Sequence, residues 1–185
     1  PNIEVDELLQ FVKGPDFPTG GIICGTAGIK RAFKTGKGKA VVRAKTQFDE
    51  AKNRIIVTEI PYAVNKSEMI TQIADLVRDD KIRGISDIRD ESDRKGMSII
   101  FELKKDANPD VVLNLLYKHS RLQDTFGIGM VALVDNKPQL LNLKQLIHYF
   151  IEHRKTIVRK RTEFDLKKAE SRAHILEGLL VALKD

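Results

Sequence analysis

Between Lys34 and Lys45 the sequence reads KTGKGKAVVRAK, a glycine-spaced run of lysines and an arginine with no acid. Glycines beside lysines invite a test for a loop that cradles a nucleotide phosphate. A Walker-type loop needs G-x-x-x-x-G-K-[ST]. Counting back from Gly36-Lys37, its first glycine would fall on Arg31, and the residue after the lysine is Gly38 instead of serine or threonine. G-x-G-x-x-G fails as well, because Gly36 and Gly38 are followed by Val41. Other chemistry is equally thin. The acids are spread over helix faces and turns, with no pair placed for general acid–base work. His148 and His153 are five residues apart, which suits neither helical ligand spacing. Four histidines and a single cysteine, Cys24, offer no metal-ligand cluster. Tyr62, Tyr117 and Tyr149 sit in apolar contexts typical of a core or an interface. No self-contained catalytic constellation and no metal site are expected.

What remains is electrostatic. In a strand, positions 37, 39, 41, 43 and 45 share one face. Lys37, Lys39, Arg43 and Lys45 occupy four of them, and Val41 interrupts the row. Ala40, Val42 and Ala44 fall on the opposite, apolar face. The pattern predicts a row of cations spaced about 7 Å apart where it is unbroken, over a core-facing side. Lys30, Arg31 and Lys34 extend it from the preceding segment, and Gly38 lets a backbone approach a phosphate. With no base-reading helix and no exposed aromatic row, the expected mode is backbone contact to duplex nucleic acid, sensitive to salt and weakly selective for sequence. The candidate binding residues are therefore Lys34, Lys37, Gly38, Lys39, Arg43 and Lys45. The competing reading is a structural or interaction module whose basic face is merely solvated.

Charge distribution supports an anionic partner. The net charge is +6, yet residues 28–45 alone hold seven cations and no acid. Residues 143–185 are the second basic region, with ten cations against six acids. No apolar run is long enough to span a bilayer, and no signal peptide opens the chain. One cysteine forms no internal disulfide, which fits a reducing, cytoplasmic setting. The absence of an initial methionine before Pro1 suggests a piece of a longer protein.

The elements that must position the basic row alternate hairpins with helices. Residues 3–13 read as a short amphipathic helix, 14–21 as turn chemistry, and GIIC as a short strand. Residues 28–36 form two helical turns closed by Gly36. Residues 39–47 and 53–60 pair as an antiparallel hairpin. Residues 65–81 are a helix capped by Asn65. Strands at 85–92 and 97–105 flank a charged turn at Ser92–Gly96. A helix with Pro109 in its first turn covers 108–120, and 126–142 reads as two strands joined at Asp135-Asn136-Lys137. From Asn142 onward there is no proline and only Gly178. Leu143, Ile147, Phe150, Ile157 and Phe164 set a narrow seam, with Arg154 and Arg161 between them; after a skip it resumes at Ala169, Ala173, Leu176, Leu180 and Leu183. This predicts a long helix, uncapped at Asp185 and needing a partner helix. The fold class is α+β, with antiparallel hairpins and helices followed by a long coiled-coil helix.

Six of these segments carry a resemblance. GPDFPTGG (14–21), the G-x-x-G-I from Gly25 to Ile29, TGKGK (35–39), VTEIPYAVNK (57–66), FGIGMVALVDNKPQLLNLKQL (126–146) and EHRKTIVRKRTEFDLKKAESRAHILEGLLVAL (152–183) together resemble the A-subunit family of bacterial DNA gyrase and topoisomerase IV, type IIA topoisomerases. The resemblance implies a connector at 1–20 from an upstream winged-helix region, a tower domain at 21–141, and the first helix of a coiled-coil arm at 142–185. It implies that the cleaving tyrosine, which follows an arginine in that family, lies upstream, since no tyrosine here follows one. It places Mg2+ and ATP on a partner B subunit, and none on this chain. The partners it implies are double-stranded DNA, a second A subunit, and the B subunit of an A2B2 assembly, with the tower touching the bent arms of the cleaved duplex.

Overall fold

The computed structural model describes residues 3–94 and 96–183. Two antiparallel sheets organise it. The first orders β1 (Ile22–Cys24), β2 (Lys37–Arg43) and β7 (Gln123–Gly129) with β2 central. The second orders β3 (Lys45–Asp49), β4 (Arg54–Glu59), β6 (Ile99–Leu103) and β5 (Ile85–Asp90). A separate hairpin joins β8 (Val131–Val134) to β9 (Lys137–Leu140) through Asp135 and Asn136, whose φ angles of 50° and 62° match the left-handed turn that suits hairpins. The α+β class and the long terminal helix stand as the sequence pattern required.

Helix starts follow their caps. Asn65 accepts from the Ser67 and Glu68 amides ahead of α3 (Lys66–Arg78), and Asn108 accepts from Asp110 and Val111 ahead of α4 (Pro109–His119). α3 and α4 supply Met69, Ile73, Val112 and Leu116 to a core that includes Ile55 and Val57 of β4 and Ile99, Phe101 and Leu103 of β6. A second, smaller core gathers Ile29 and Phe33 of α2 (Ala27–Thr35) and Leu143 of α5 (Leu143–Ala182), against Leu8 of α1 (Val5–Leu8). Asn142 and Gln145 form a reciprocal capping box that starts α5. Past its first turns α5 runs exposed, with Phe150 and Phe164 in solvent. The expected end at Asp185, the start at Pro1 and Lys95 in the charged turn lie outside the described residues.

Three expectations are corrected. The first helix is one turn, Val5–Leu8, and not the span 3–13; Val5 and Leu8 pack against the small core from that turn, and Leu9 and Val12 from the non-helical residues after it. The strand expected at 39–47 breaks at Ala44, so that only 45–49 pairs with 54–59, while 37–43 belongs to the other sheet. The strand expected from Phe126 is the end of β7, which pairs with β2 from Lys37↔Gly129 to Arg43↔Gln123, so the 126–142 region holds three strands.

α2 lies unusually close to β2. A Cβ on Gly28 would collide with the Lys39 carbonyl oxygen, and one on Gly38 would meet the Gly28 carbonyl and sit 2.7 Å from the Ala32 Cβ. Gly28→Ala therefore drives helix and strand apart, and is expected to cost about 1–3 kcal/mol, the usual overpacking range, read as a lowered urea midpoint.

A second tie joins α3 to the end of β5. Lys66 Nζ lies 2.6 Å from Asp90 Oδ2, the Ser92 hydroxyl donates to Asp90 Oδ1 at 2.5 Å, and the Ser98 amide donates to Ser92 Oγ at 3.1 Å. The Lys66 hydrogen bond, then that of Ser92, hold the Asp90 carboxyl down from 3.8 to about 2. A carboxyl lowered on folding stabilises the fold above its ordinary value and loses that contribution as pH falls toward the folded value. The urea midpoint should thus decline between about pH 4 and pH 2, and Asp90→Asn should flatten that decline; an equal slope in both proteins would refute the assignment.

Candidate nucleic-acid interface

β2 alternates as its sequence demands: Lys37, Lys39 and Arg43 are exposed, Ala40 and Val42 buried. Lys45 opens β3 on the far side of buried Ala44, so the exposed row continues from one sheet to the next. The backbone of Ala44 is fully engaged. Its amide donates to the Leu122 carbonyl at 2.7 Å, and its carbonyl accepts from the Tyr117 hydroxyl at 3.2 Å.

The six candidate residues fall into distinct environments. Lys37 and Lys39 stand free, with no ion pair among the described residues. Arg43 is held: its Nε donates to Gln123 Oε1 at 2.5 Å, and its guanidinium carbon sits 4.9 Å from the centre of the Tyr117 ring. Lys45 is paired with Glu59 at 3.0 Å, and Lys34 with Asp6 at 2.7 Å. Gly38 is half-buried beneath α2, where its missing side chain serves helix packing. The structure thus brings Lys37, Lys39 and Arg43 into one row, and sets Lys34 and Lys45 against acids at its ends.

Arg31, which the sequence places on the fringe of the patch, lines an open groove with Thr35, Lys37, Lys39, Gly127 and Gly129. Sequence reasoning does not reach Gly127 and Gly129. Their G-x-G spacing is visible in FGIGM, but only the β2–β7 register places them opposite Lys39 and Lys37. Glu59 is a second residue that spacing alone does not mark. Its Oε2 accepts from the Gly21 amide at 2.6 Å while Oε1 holds Lys45. The Gly21 amide, then Lys45, keep the Glu59 carboxyl below the usual carboxylate range. No group of three or more potential metal ligands occurs among the described residues, and no helix among them is long and apolar enough to cross a membrane.

The profile of the family described as the A subunit of DNA gyrase/topoisomerase IV matches residues 1–185. The A subunit of DNA gyrase from Clostridium acetobutylicum is 59% identical over 99% of this chain, that from Halalkalibacterium halodurans 55% over 99%, and that from Helicobacter pylori 51% over 99%. The chain spans 22% of the length of each of these relatives.

Glu59 thus fastens the 14–21 loop to β4 and occupies Lys45. Glu59→Gln keeps the size and removes the charge. It is expected to speed hydrogen exchange at the Gly21 amide, measured by NMR above the carboxylate range, where the native contact is complete. Acidification through that range should loosen the wild-type amide in the same direction, and unchanged protection in the variant would contradict the role.

Proposed function

The chain belongs to the A-subunit family of DNA gyrase/topoisomerase IV, and from that premise we propose that it is the tower segment of a type II topoisomerase, binding and positioning the cleaved duplex through backbone contacts. On this reading residues 1–20 connect it to an upstream region, 21–141 form the tower, and 142–185 begin the coiled-coil arm. The observation that carries the proposal is the exposed row of Lys37, Lys39 and Arg43, none of which has an acid partner among the described residues; Arg43 is held by the neutral Gln123 and Tyr117. A two-residue strand step of about 7 Å equals about two phosphate rises of 3.4 Å along one DNA strand. The cation spacing is therefore commensurate with the phosphate repeat of a DNA strand to within a factor of about two. Such contacts position DNA and help hold it bent, at a deformation cost of order 1–6 kcal/mol for a 20–30 bp site. They do not break a phosphodiester, so the 185-residue chain is expected to bind without cleaving. In the whole protein its partners would be duplex DNA, a second A subunit, and the ATP-hydrolysing B subunit of an A2B2 assembly.

A second role is proposed for α5, whose exposed Phe150, Ile157, Phe164, Leu176 and Leu180 favour a partner helix and so support dimerisation.

The test is binding of a mixed-sequence duplex by fluorescence anisotropy across a salt series. Affinity should fall steeply with salt. Each lost phosphate contact lowers the slope of log K against log salt by about 0.9, so Lys37→Glu/Lys39→Glu/Arg43→Glu should lower it by about 2.7. A triple variant that binds as wild type at low salt would overturn the basic-face reading and leave the solvated-face alternative.

A further inference from the structure

Two glycines sit where neither a left-handed backbone nor packing against the rest of the chain requires them. On the outer face of the first sheet, β7 presents Gln123, Thr125, Gly127 and Gly129 in turn, opposite Arg43, Val41, Lys39 and Lys37. Glycine weakens a strand interior, and it is kept there for a bulge, a bend, or the close approach of another molecule. The register from 37↔129 to 43↔123 is unbroken, so there is no bulge. Neither glycine has a positive φ, so neither serves a left-handed turn. A Cβ built on either meets nothing within 4 Å, so neither makes room for a neighbour. Gly28, Gly36 and Gly38 are the contrast, since each has an atom of the chain where its Cβ would be.

A second observation stands beside them. The direct cross-strand neighbours of the two bare positions are Lys37 and Lys39, and neither has an ion-pair partner among the described residues. Side chains opposite one another in an antiparallel pair are about 5 Å apart. A residue with a side chain at 127 or 129 would therefore stand against the lysine stem and lift any bound molecule off the sheet. With glycine, the lysines rise beside bare backbone, and the open groove continues from there to Arg31 and Thr35.

We propose that Gly127 and Gly129 are positioning residues: a floor across which a duplex sugar–phosphate backbone passes, close enough for Lys37 and Lys39 to reach its phosphates from the side. This rests on the basic-face reading above and adds to it a steric requirement on the neighbouring strand. Charge alone does not specify that requirement, because a side chain at either glycine leaves every cation in place.

The experiment compares graded substitutions at both glycines in the 185-residue chain, made as pairs to Ala, Thr and Leu. Threonine is the insurance against misfolding, because β-branched residues suit a strand. Urea midpoints should stay at or above wild type for the Ala and Thr pairs. Duplex affinity at low salt should fall in the order Ala, Thr, Leu, reaching roughly tenfold for Leu, comparable to the loss of one or two phosphate contacts. If the Thr and Leu pairs bind as wild type while Lys37→Glu/Lys39→Glu/Arg43→Glu loses binding, the floor is refuted and the basic-face reading survives. If neither set changes binding, both fail. If the Leu pair unfolds, the folded Thr pair decides alone: weakened duplex binding supports the floor, and wild-type binding refutes it.

Discussion

One residue, Ala44, carries the chain from one sheet to the other. It is fully buried, so its backbone polar groups have no water to fall back on and must be satisfied internally. Leu122 accepts from its amide and Tyr117 donates to its carbonyl, which pins the start of β7 and the end of α4 to the same point. From that junction β2 runs into the three-stranded sheet and β3 into the four-stranded one. A single buried residue separates Arg43 from Lys45, both of them exposed, and the register of β3 against β4 shifts immediately afterwards, between Lys45 and Thr46. A polar or larger residue at 44 would disturb both sheets and break the charged row together.

The row itself is graded by its neighbours. Exposed ion pairs contribute little, roughly 0–1 kcal/mol, and are screened by salt. The Lys45–Glu59 and Lys34–Asp6 pairs are of that kind, so a phosphate can compete for either lysine. Lys37 and Lys39 need no such exchange, and Arg43 is already oriented by Gln123 and Tyr117. Were a duplex bound as proposed, contact begun at Lys37 and Lys39 and continued along the strand would meet free charge first, then the oriented Arg43, then the Lys45 paired with Glu59. Glu59 makes the last step costlier, because the same carboxylate also holds the Gly21 amide.

Much of this was legible in the sequence, and for local reasons. Asn65 and Asn108 announce their helices because capping acts over three residues. Gly36 ends α2 with φ 79°, a conformation glycine adopts freely. The alternation of cations and small apolar residues from Lys37 to Lys45 placed the charged face. What escaped is what only long-range pairing decides. A period of two is the same in either sheet, so nothing in 39–47 reveals that the strand changes partners at Ala44. The pairing of β2 with β7 joins segments far apart in the chain, and Gly127 and Gly129 gain their meaning from it. The one-turn α1 fails for a related reason: Val5, Leu8 and Val12 are apolar at helical spacing, but packing on Ile29 and Phe33 does not require the helix to continue.

α2 connects the two halves of the molecule's surface. One side sends Ile29 and Phe33 into the small core where Leu143 roots α5. Another carries Arg31 toward the groove shared with Lys37 and Lys39. Its position against β2 is fixed by backbone contact at Gly28 and Gly38, with no side chain between to absorb movement. Packed interiors transmit displacement instead of damping it. α2 touches the basic strand at Gly28 and Gly38 and, through Ile29 and Phe33, meets Leu143 at the start of α5. The helix that leaves the molecule is thereby seated, through Leu143, on the element that borders the charged face.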